Sequence, residues 1–187
     1  YNESGNVTPV TKALGKVFNT LSSDYSPMIL FVDDQSPDGT STVIRTLIKK
    51  YPYVKLLENK RKGGLGHAYK KGMIYATDKL KADIVFEFDA DLSHDPTKIP
   101  QMLGAIKSGS DLVLGARYMT GSKIPSNWPW YRKFLSVTGN IFIRLVMGNL
   151  KIKDWTTGYR AITRRVVEAI VPQLSHHAFQ GYTLQIG

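Results

Sequence analysis

Asp89 and Asp91 stand two residues apart in Phe86-Glu87-Phe88-Asp89-Ala90-Asp91. The apolar residues from Ile84 to Phe88 read as the end of a buried strand. In extended backbone, side chains at i and i+2 point the same way, so both carboxylates are expected to face one point. Two converging anions repel, and the arrangement asks for a cation. Hard oxygen donors suit Mg²⁺ or Mn²⁺, and Mg²⁺ is usually held by one or two carboxylates together with substrate phosphates. For an isolated Asp-x-Asp the plainer reading is a helix cap beside a solvated acid. The flanking sequence shifts that balance.

A second acidic pair closes an earlier apolar run. Pro27-Met28-Ile29-Leu30-Phe31-Val32 reads as a strand covered on both faces. It ends in Asp33-Asp34-Gln35-Ser36-Pro37-Asp38-Gly39-Thr40, where a turn and a helix cap account for several of the polar residues. Ligands of open α/β sheets bind outside the carboxyl ends of the strands. Two acidic strand ends directed into one crevice point to a nucleotide with its metal. The competing reading of Asp33 and Asp34 is turn and cap chemistry alone.

The basic residues are unevenly distributed. The chain carries a formal net charge of +10, and from Gly115 to Arg165 there are ten Lys or Arg against one acid, Asp154. Such asymmetry asks for an anionic partner: nucleic acid, an anionic membrane surface or a phosphorylated substrate. No nucleic-acid motif is present, so no nucleic-acid partner is expected. A lipid phosphate satisfies the other two at once. Zero cysteines exclude disulfides and thiol catalysis. His176 and His177 lack the partners of a zinc site.

These residues need elements to hold them. Val7, Val10, Leu14, Val17, Phe18 and Leu21 recur at helical spacing. A strand is predicted over 27–33, a helix near 40–51, a short strand over 54–57, a basic glycine-rich turn over 59–64 and a helix over 66–80. A strand over 83–89 carries the first Asp of the pair. Asp95 and Pro96 open a helix over 96–107. Strand 111–116, a long loop over 118–130, helix 131–147, strand 157–163 and helix 164–171 complete the series. Strands alternating with helices imply an α/β fold with a mainly parallel sheet covered on both faces. At 187 residues the chain is one domain with room for a sizeable core. The apolar face of helix 131–147, with Phe134, Leu135, Val137, Ile141, Phe142, Leu145 and Val146, is expected to pack inward. Trp128 and Trp130 are the better candidates for a membrane interface.

The ordered motifs resemble a known family. They are Tyr1-Asn2-Glu3, Val32-Asp33-Asp34-Gln35-Ser36-Pro37-Asp38-Gly39-Thr40, Lys62-Gly63-Gly64-Leu65-Gly66 and Asp89-Ala90-Asp91-Leu92-Ser93-His94-Asp95-Pro96. Gly115-Ala116-Arg117-Tyr118, Asn127-Trp128-Pro129-Trp130-Tyr131-Arg132 and Asp154-Trp155-Thr156-Thr157-Gly158-Tyr159-Arg160 follow. Together they resemble the family 2 inverting glycosyltransferases, and within them the branch that attaches mannose to dolichyl and other polyprenyl phosphates. The resemblance implies a GT-A-type fold and a nucleotide-sugar donor, with GDP-mannose as the donor expected for that branch. It implies a polyprenyl monophosphate acceptor, a divalent metal, and a place on the cytoplasmic face of a membrane. Tyr1, Glu3, Asp33 and Asp34 match positions lining the nucleoside pocket. Asp89 and Asp91 match the metal and diphosphate ligands, with Ala90 letting the backbone approach. Ser93 stands where some relatives place a Gln that completes the metal shell. Arg117, Arg132 and Ser136 match the positions that hold the acceptor phosphate.

A lipid monophosphate is already anionic at neutral pH and needs no general base. Catalysis then rests on positioning, on charge screening and on stabilising the leaving group. His94 is assigned to orienting the Asp89–Asp91 loop and His67 to a helix start, neither to proton transfer. Two other readings stay open: a family 2 transferase using a UDP-sugar, including polysaccharide synthases, and a non-enzymatic nucleotide-binding domain. The resemblance also leads to the expectation that the catalytic domain is truncated at both ends. A first strand would precede Tyr1, and a membrane-anchoring segment would lie outside residues 1–187.

Overall fold

The structure, a computed structural model, describes residues 1–60, 62–116, 129–146, 148, 152 and 154–174. Helix α1 spans Val7–Phe18, strand β1 Ile29–Asp33, α2 Thr40–Lys50, β2 Val54–Glu58 and α3 Leu65–Asp78. Strand β3 follows at Ile84–Glu87, then a 3-10 turn at Pro96–Lys98 that runs into α4 at Ile99–Lys107. Strand β4 is Leu112–Leu114, α5 Trp130–Val146, β5 Arg160–Thr163 and α6 Arg164–Ile170. Asp95 caps the 3-10 turn: its side chain accepts the Thr97 N–H at 3.0 Å, and Pro96 fills the first position, where no N–H is needed.

Strands β1 and β2 pair in parallel, from Ile29 against Val54 to Asp33 against Glu58. The second sheet has the order β3-β5-β4, and β5 runs antiparallel to both neighbours. The α/β class expected from the sequence holds, and the direction of the last strand is what the structure adds. An apolar run carries no information about which way its strand runs.

Helices cover both faces. On one, Val7, Val10 and Leu14 of α1, Ile44 and Leu47 of α2, and Met102 and Leu103 of α4 pack with Ile29, Phe31, Val54 and Ala161. On the other, Met73 of α3 and Val167 of α6 pack with Ile162 and Leu174. Adjacent residues Ala161 and Ile162 enter opposite cores, as the alternation of a strand requires. β5 is therefore buried on both faces.

Two expectations are corrected. β3 ends at Glu87, and residues 90–91 form a turn, so Asp89 and Asp91 are not successive same-face positions of a strand. The apolar face of α5 does not pack inward: Phe134, Leu135, Ile141, Phe142, Leu145 and Val146 are exposed, while Asn140 is buried. The helix is anchored through its polar side, where Asn140 Oδ1 accepts the Trp155 N–H at 2.9 Å.

Candidate active site

The end of β1 is built from two carboxylates that each accept three hydrogen bonds from protein donors. Asp33 is buried and accepts from the Ser36 N–H at 3.1 Å, the Ser36 hydroxyl at 2.5 Å and the Ser41 hydroxyl at 2.6 Å. Burial alone would raise its pKa. The donations from Ser36 and Ser41 outweigh that and hold it below the ordinary value. Asp34 accepts from the Asn59 side chain, the Gly63 N–H at 2.9 Å and the Gly64 N–H at 3.2 Å. It thereby ties β1 to the glycine-rich turn before α3. Gly64 has φ +86, a conformation that strains any residue with a Cβ.

The first residues of the chain join this turn. The Asn2 N–H donates to Ser36 Oγ at 3.0 Å, the Glu3 N–H to Thr40 Oγ1 at 2.9 Å and the Ser4 N–H to Asp38 Oδ2 at 3.0 Å. Lys62 Nζ lies 3.9 Å from the centre of the Tyr1 ring, a cation–π contact. Tyr1, Glu3, Asp33 and Asp34 are thus brought to one place, as the sequence led one to expect. Asp33 and Asp34, however, already spend most of their acceptor capacity on protein donors. The Glu3 carboxylate accepts from the Asn6 amide at 2.6 Å.

The Asp89–Asp91 turn is built differently. The Tyr69 hydroxyl of α3 donates to Asp89 Oδ1 at 2.8 Å. His94 Nδ1 accepts the Asp89 N–H at 3.0 Å, which places the neutral ring's proton on Nε2, and Nε2 lies 3.6 Å from Asp89 Oδ2. The His94 ring stacks on Tyr159 at 4.9 Å and meets Phe88 edge-on at 5.4 Å. His94 does orient this loop. Asp91 is exposed; its Oδ1 accepts the Ser93 N–H at 2.9 Å, and its Oδ2 accepts no hydrogen bond among the described residues. Leu92 has φ +62, which bends the chain back after the pair.

β5 and its approach support this turn from below. The Tyr159 hydroxyl donates to the Asp95 carbonyl at 3.1 Å, and burial, with Asp95 nearby, raises its pKa strongly. The Thr157 hydroxyl donates to the Gly115 carbonyl at 2.9 Å and accepts the Tyr159 N–H at 3.2 Å. A Cβ on Gly115 would meet the Tyr159 ring at 2.5 Å, so only glycine fits there. Glu87 and Arg160 are cross-strand partners, both buried, with Oε2 and an Nη 3.3 Å apart.

Helix α3 joins the two acidic ends. Its opening turn meets Asp34 through Gly64, and its Tyr69 meets Asp89. Five residues of helix rise separate those contacts, roughly 7.5 Å. The two acidic ends are therefore held by positions of α3 that a single nucleotide-sized ligand is long enough to span. Sequence reading did not assign Tyr69, Tyr159, Thr157, Asn59, Lys62 or the Glu87–Arg160 pair. A charged Glu87 inside an apolar strand was the one local signal, since a buried acid calls for a cation.

Among the described residues, no three His, Asp or Glu side chains form a ready metal cage, and Ser93 contributes its backbone N–H to Asp91. Asp89 and Asp91 alone still fit a hard cation whose remaining ligands come from a diphosphate, the usual pattern for Mg²⁺. Arg117 lies outside the described residues, as do Trp128, His176 and His177. Arg132 belongs to the first turn of α5, its side chain outside the description, and Ser136 is half-buried one turn on.

An α/β sheet whose carboxyl edge gathers acidic turns belongs to the nucleotide-binding class of architectures. Comparison narrows the class: residues 1–171 match the model of glycosyl transferase family 2, and the chain belongs to that family. The α/β architecture is consistent with the GT-A type. The chain is 37% identical over 187 residues to the polyprenol monophosphomannose synthase of Mycolicibacterium smegmatis, covering 100% of this chain and 66% of that protein. It is 35% identical over 171 residues to a dolichol-phosphate mannosyltransferase of Pyrococcus furiosus, covering 91% of this chain and 46% of that protein. An undecaprenyl-phosphate mannosyltransferase of Micrococcus luteus is 38% identical over 158 residues, covering 84% of this chain and 63% of that protein. The chain thus spans about half to two thirds of the length of these curated relatives.

Proposed function

We propose that this chain is the catalytic part of an enzyme that transfers mannose from GDP-mannose to a polyprenyl monophosphate, with inversion, at the cytoplasmic face of a membrane. Similarity along the whole of this chain to 66% of the Mycolicibacterium smegmatis synthase supports the reaction class. The observation that carries the site is that Asp89 accepts one protein hydroxyl on Oδ1 and that Asp91 is exposed, its Oδ2 accepting no hydrogen bond among the described residues.

The residues divide the work. The loop over 33–40 and Tyr1-Asn2-Glu3 form the wall against which the nucleoside lies, with Lys62 over Tyr1 closing one side. Asp89 and Asp91 would hold Mg²⁺ or Mn²⁺, which, when bound, supplies Lewis acidity to the departing diphosphate. Arg117, Arg132 and Ser136 receive the acceptor phosphate; arginine suits this because its fork binds phosphate bidentately. The acceptor oxygen is already anionic, so no side chain removes a proton from it. Attack from the face opposite the leaving diphosphate inverts the anomeric carbon.

A thermal-shift panel with GDP, UDP and NAD, each with and without Mn²⁺, tests the donor side. The expected result is stabilisation by GDP that grows with Mn²⁺. Preference for UDP would point to another sugar donor within the family, and preference for NAD would remove the transferase reading. Transfer of labelled mannose to polyprenyl phosphate tests the reaction itself.

A further inference from the structure

We infer that Asn140 is a positioning residue for the acceptor: by accepting the Trp155 N–H it fixes the register of α5 against residues 154–158, and so sets how far Arg132 and Ser136 stand from the Asp89–Asp91 turn. The inference rests on the proposed assignment of Arg132 and Ser136 to the acceptor phosphate.

Residues 154–158 touch both halves of the site. At one end the Trp155 N–H donates to Asn140 Oδ1 at 2.9 Å. At the other, Gly158 lies against the acidic turn: a Cβ placed on it would stand 3.7 Å from Asp89 Oδ2 and 3.7 Å from His94 Cε1. Side chains of the stretch tie it down in between. Asp154 Oδ1 accepts the Thr156 N–H and the Thr156 hydroxyl, both at 3.2 Å. The Thr157 hydroxyl donates to the Gly115 carbonyl and accepts the Tyr159 N–H. Asp154, Trp155 and Thr157 are buried. A short stretch held in this way keeps its two ends at one separation.

α5 is docked onto it by a contact that specifies register. Asn is among the weaker helix formers, so its place in the middle of α5 needs a reason other than propensity. Asn140 is buried, with Ser136 and Arg144 half-buried one turn to either side. Apolar burial has no direction and tolerates a small slide or rotation. A hydrogen bond does not. Displacing α5 by one residue, about 1.5 Å and 100°, would take the acceptor away from a buried N–H. Single buried polar contacts are known to fix helix register. Ser136 and Arg132 precede Asn140 by four and eight residues, roughly 6 and 12 Å along the axis. The bond therefore carries the acceptor end of α5 with it. Reacting atoms must meet within about 3–3.5 Å, so a shift of one helical residue is large on the scale that matters.

The chain has no cysteine, so spin labels can be placed singly or in pairs. Nitroxides at Phe142→Cys on α5 and Lys98→Cys on the 3-10 turn, both exposed, report the separation of α5 from the acidic turn. Asn140→Leu, similar in size and without an acceptor, should shift or broaden that separation by about 1.5 Å or more, the rise of one helical residue. Its kcat/KM for polyprenyl phosphate should fall about ten- to a hundredfold, while its affinity for GDP with Mn²⁺ stays within about twofold of the wild type. Asn140→Asp keeps the acceptor oxygen, with Arg144 one turn on to offset its charge, and should restore most of both. Should the Leu variant not fold, Asn140→Ala is read by the same measurements. An unchanged label separation would overturn the inference whatever the activity does. So would equal loss of GDP affinity and lipid use, or a lower Tm with lipid kinetics unchanged. A wild type that binds GDP but transfers nothing to polyprenyl phosphate would instead sink the proposed reaction, and the acceptor part of this inference with it. The label separation would then still decide whether Asn140 sets the register of α5.

Discussion

The ends of β1 and β3 carry the same residue type at the same edge of the fold, and the protein treats them in opposite ways. Asp33 and Asp34 are buried, and each accepts three hydrogen bonds from protein donors. Asp89 is half-exposed with one protein hydroxyl on one oxygen, and Asp91 is exposed with one backbone N–H. An ionised carboxylate has about four acceptor sites. What it can offer a ligand is what its own chain leaves unused. The first pair is therefore an architectural clamp that shapes a pocket wall, and the second is a presented pair with capacity for a cation and a diphosphate.

The largest expected effect comes from the presented pair. Asp91→Asn removes one charge and one hard ligand from an exposed position, so transfer should fall about a hundredfold or more while the melting temperature hardly moves. Near-normal transfer at the same metal concentration would break the distinction. The clamp should show the reverse pattern in stability. Asp34→Asn leaves one acceptor oxygen for three donors, orphaning either Asn59 or the Gly63–Gly64 pair. The expected cost is about 1.5–3 kcal/mol, or a drop of roughly 3–12 °C in Tm. An unchanged Tm would show that the clamp is not structural.

Between these lies Tyr69. Tyr69→Phe removes the hydroxyl on Asp89 Oδ1 without changing the ring. The expected effect is about a two- to tenfold rise in the Mn²⁺ concentration needed for half-maximal stabilisation by GDP, with little change in Tm without ligand. A loss of Tm with no change in metal dependence would make Tyr69 a packing residue only. The smallest effect is a pH dependence at Asp33. Its folded pKa lies below the ordinary 3.8, so its contribution is complete above that value and is lost as pH falls through the lowered pKa. Between neutral pH and pH values below 3.8, the wild type should lose more stability than Asp33→Asn. Parallel losses in urea melts across that range would remove Asp33 as a source of acid sensitivity.

Much of the fold was legible in the residues. Val7, Val10, Leu14 and Val17 do line the buried side of α1, and Ile29 and Phe31 do enter the core from β1. Asp95 and Pro96 open their helical turn as their types require. The site was legible in part: the Asp-x-Asp stretch, the acidic turn after β1 and the role of His94 are where the sequence put them. The reason given for expecting Asp89 and Asp91 to face one point was wrong, because the pair lies beyond the end of β3 and partly in a turn. Tyr69, Tyr159 and Asn59 gave no signal, since their partners lie 20, 64 and 25 residues away in the chain.

By itself the sequence determined what depends on neighbours along the chain: periodicity, caps, turns and the identity of charged groups at strand ends. Family membership belongs there too, because an ordered set of motifs is a property of the string. Only the tertiary structure decided that β5 runs antiparallel, that two Asp are clamped and two presented, and that α5 shows its apolar face to the outside. A helical pattern states that two faces differ, and nothing within the helix states which one the rest of the protein covers. That choice is made by what the other elements leave unburied. At α5 they offer Asn140 a backbone N–H to accept and leave Phe142 and Leu145 exposed.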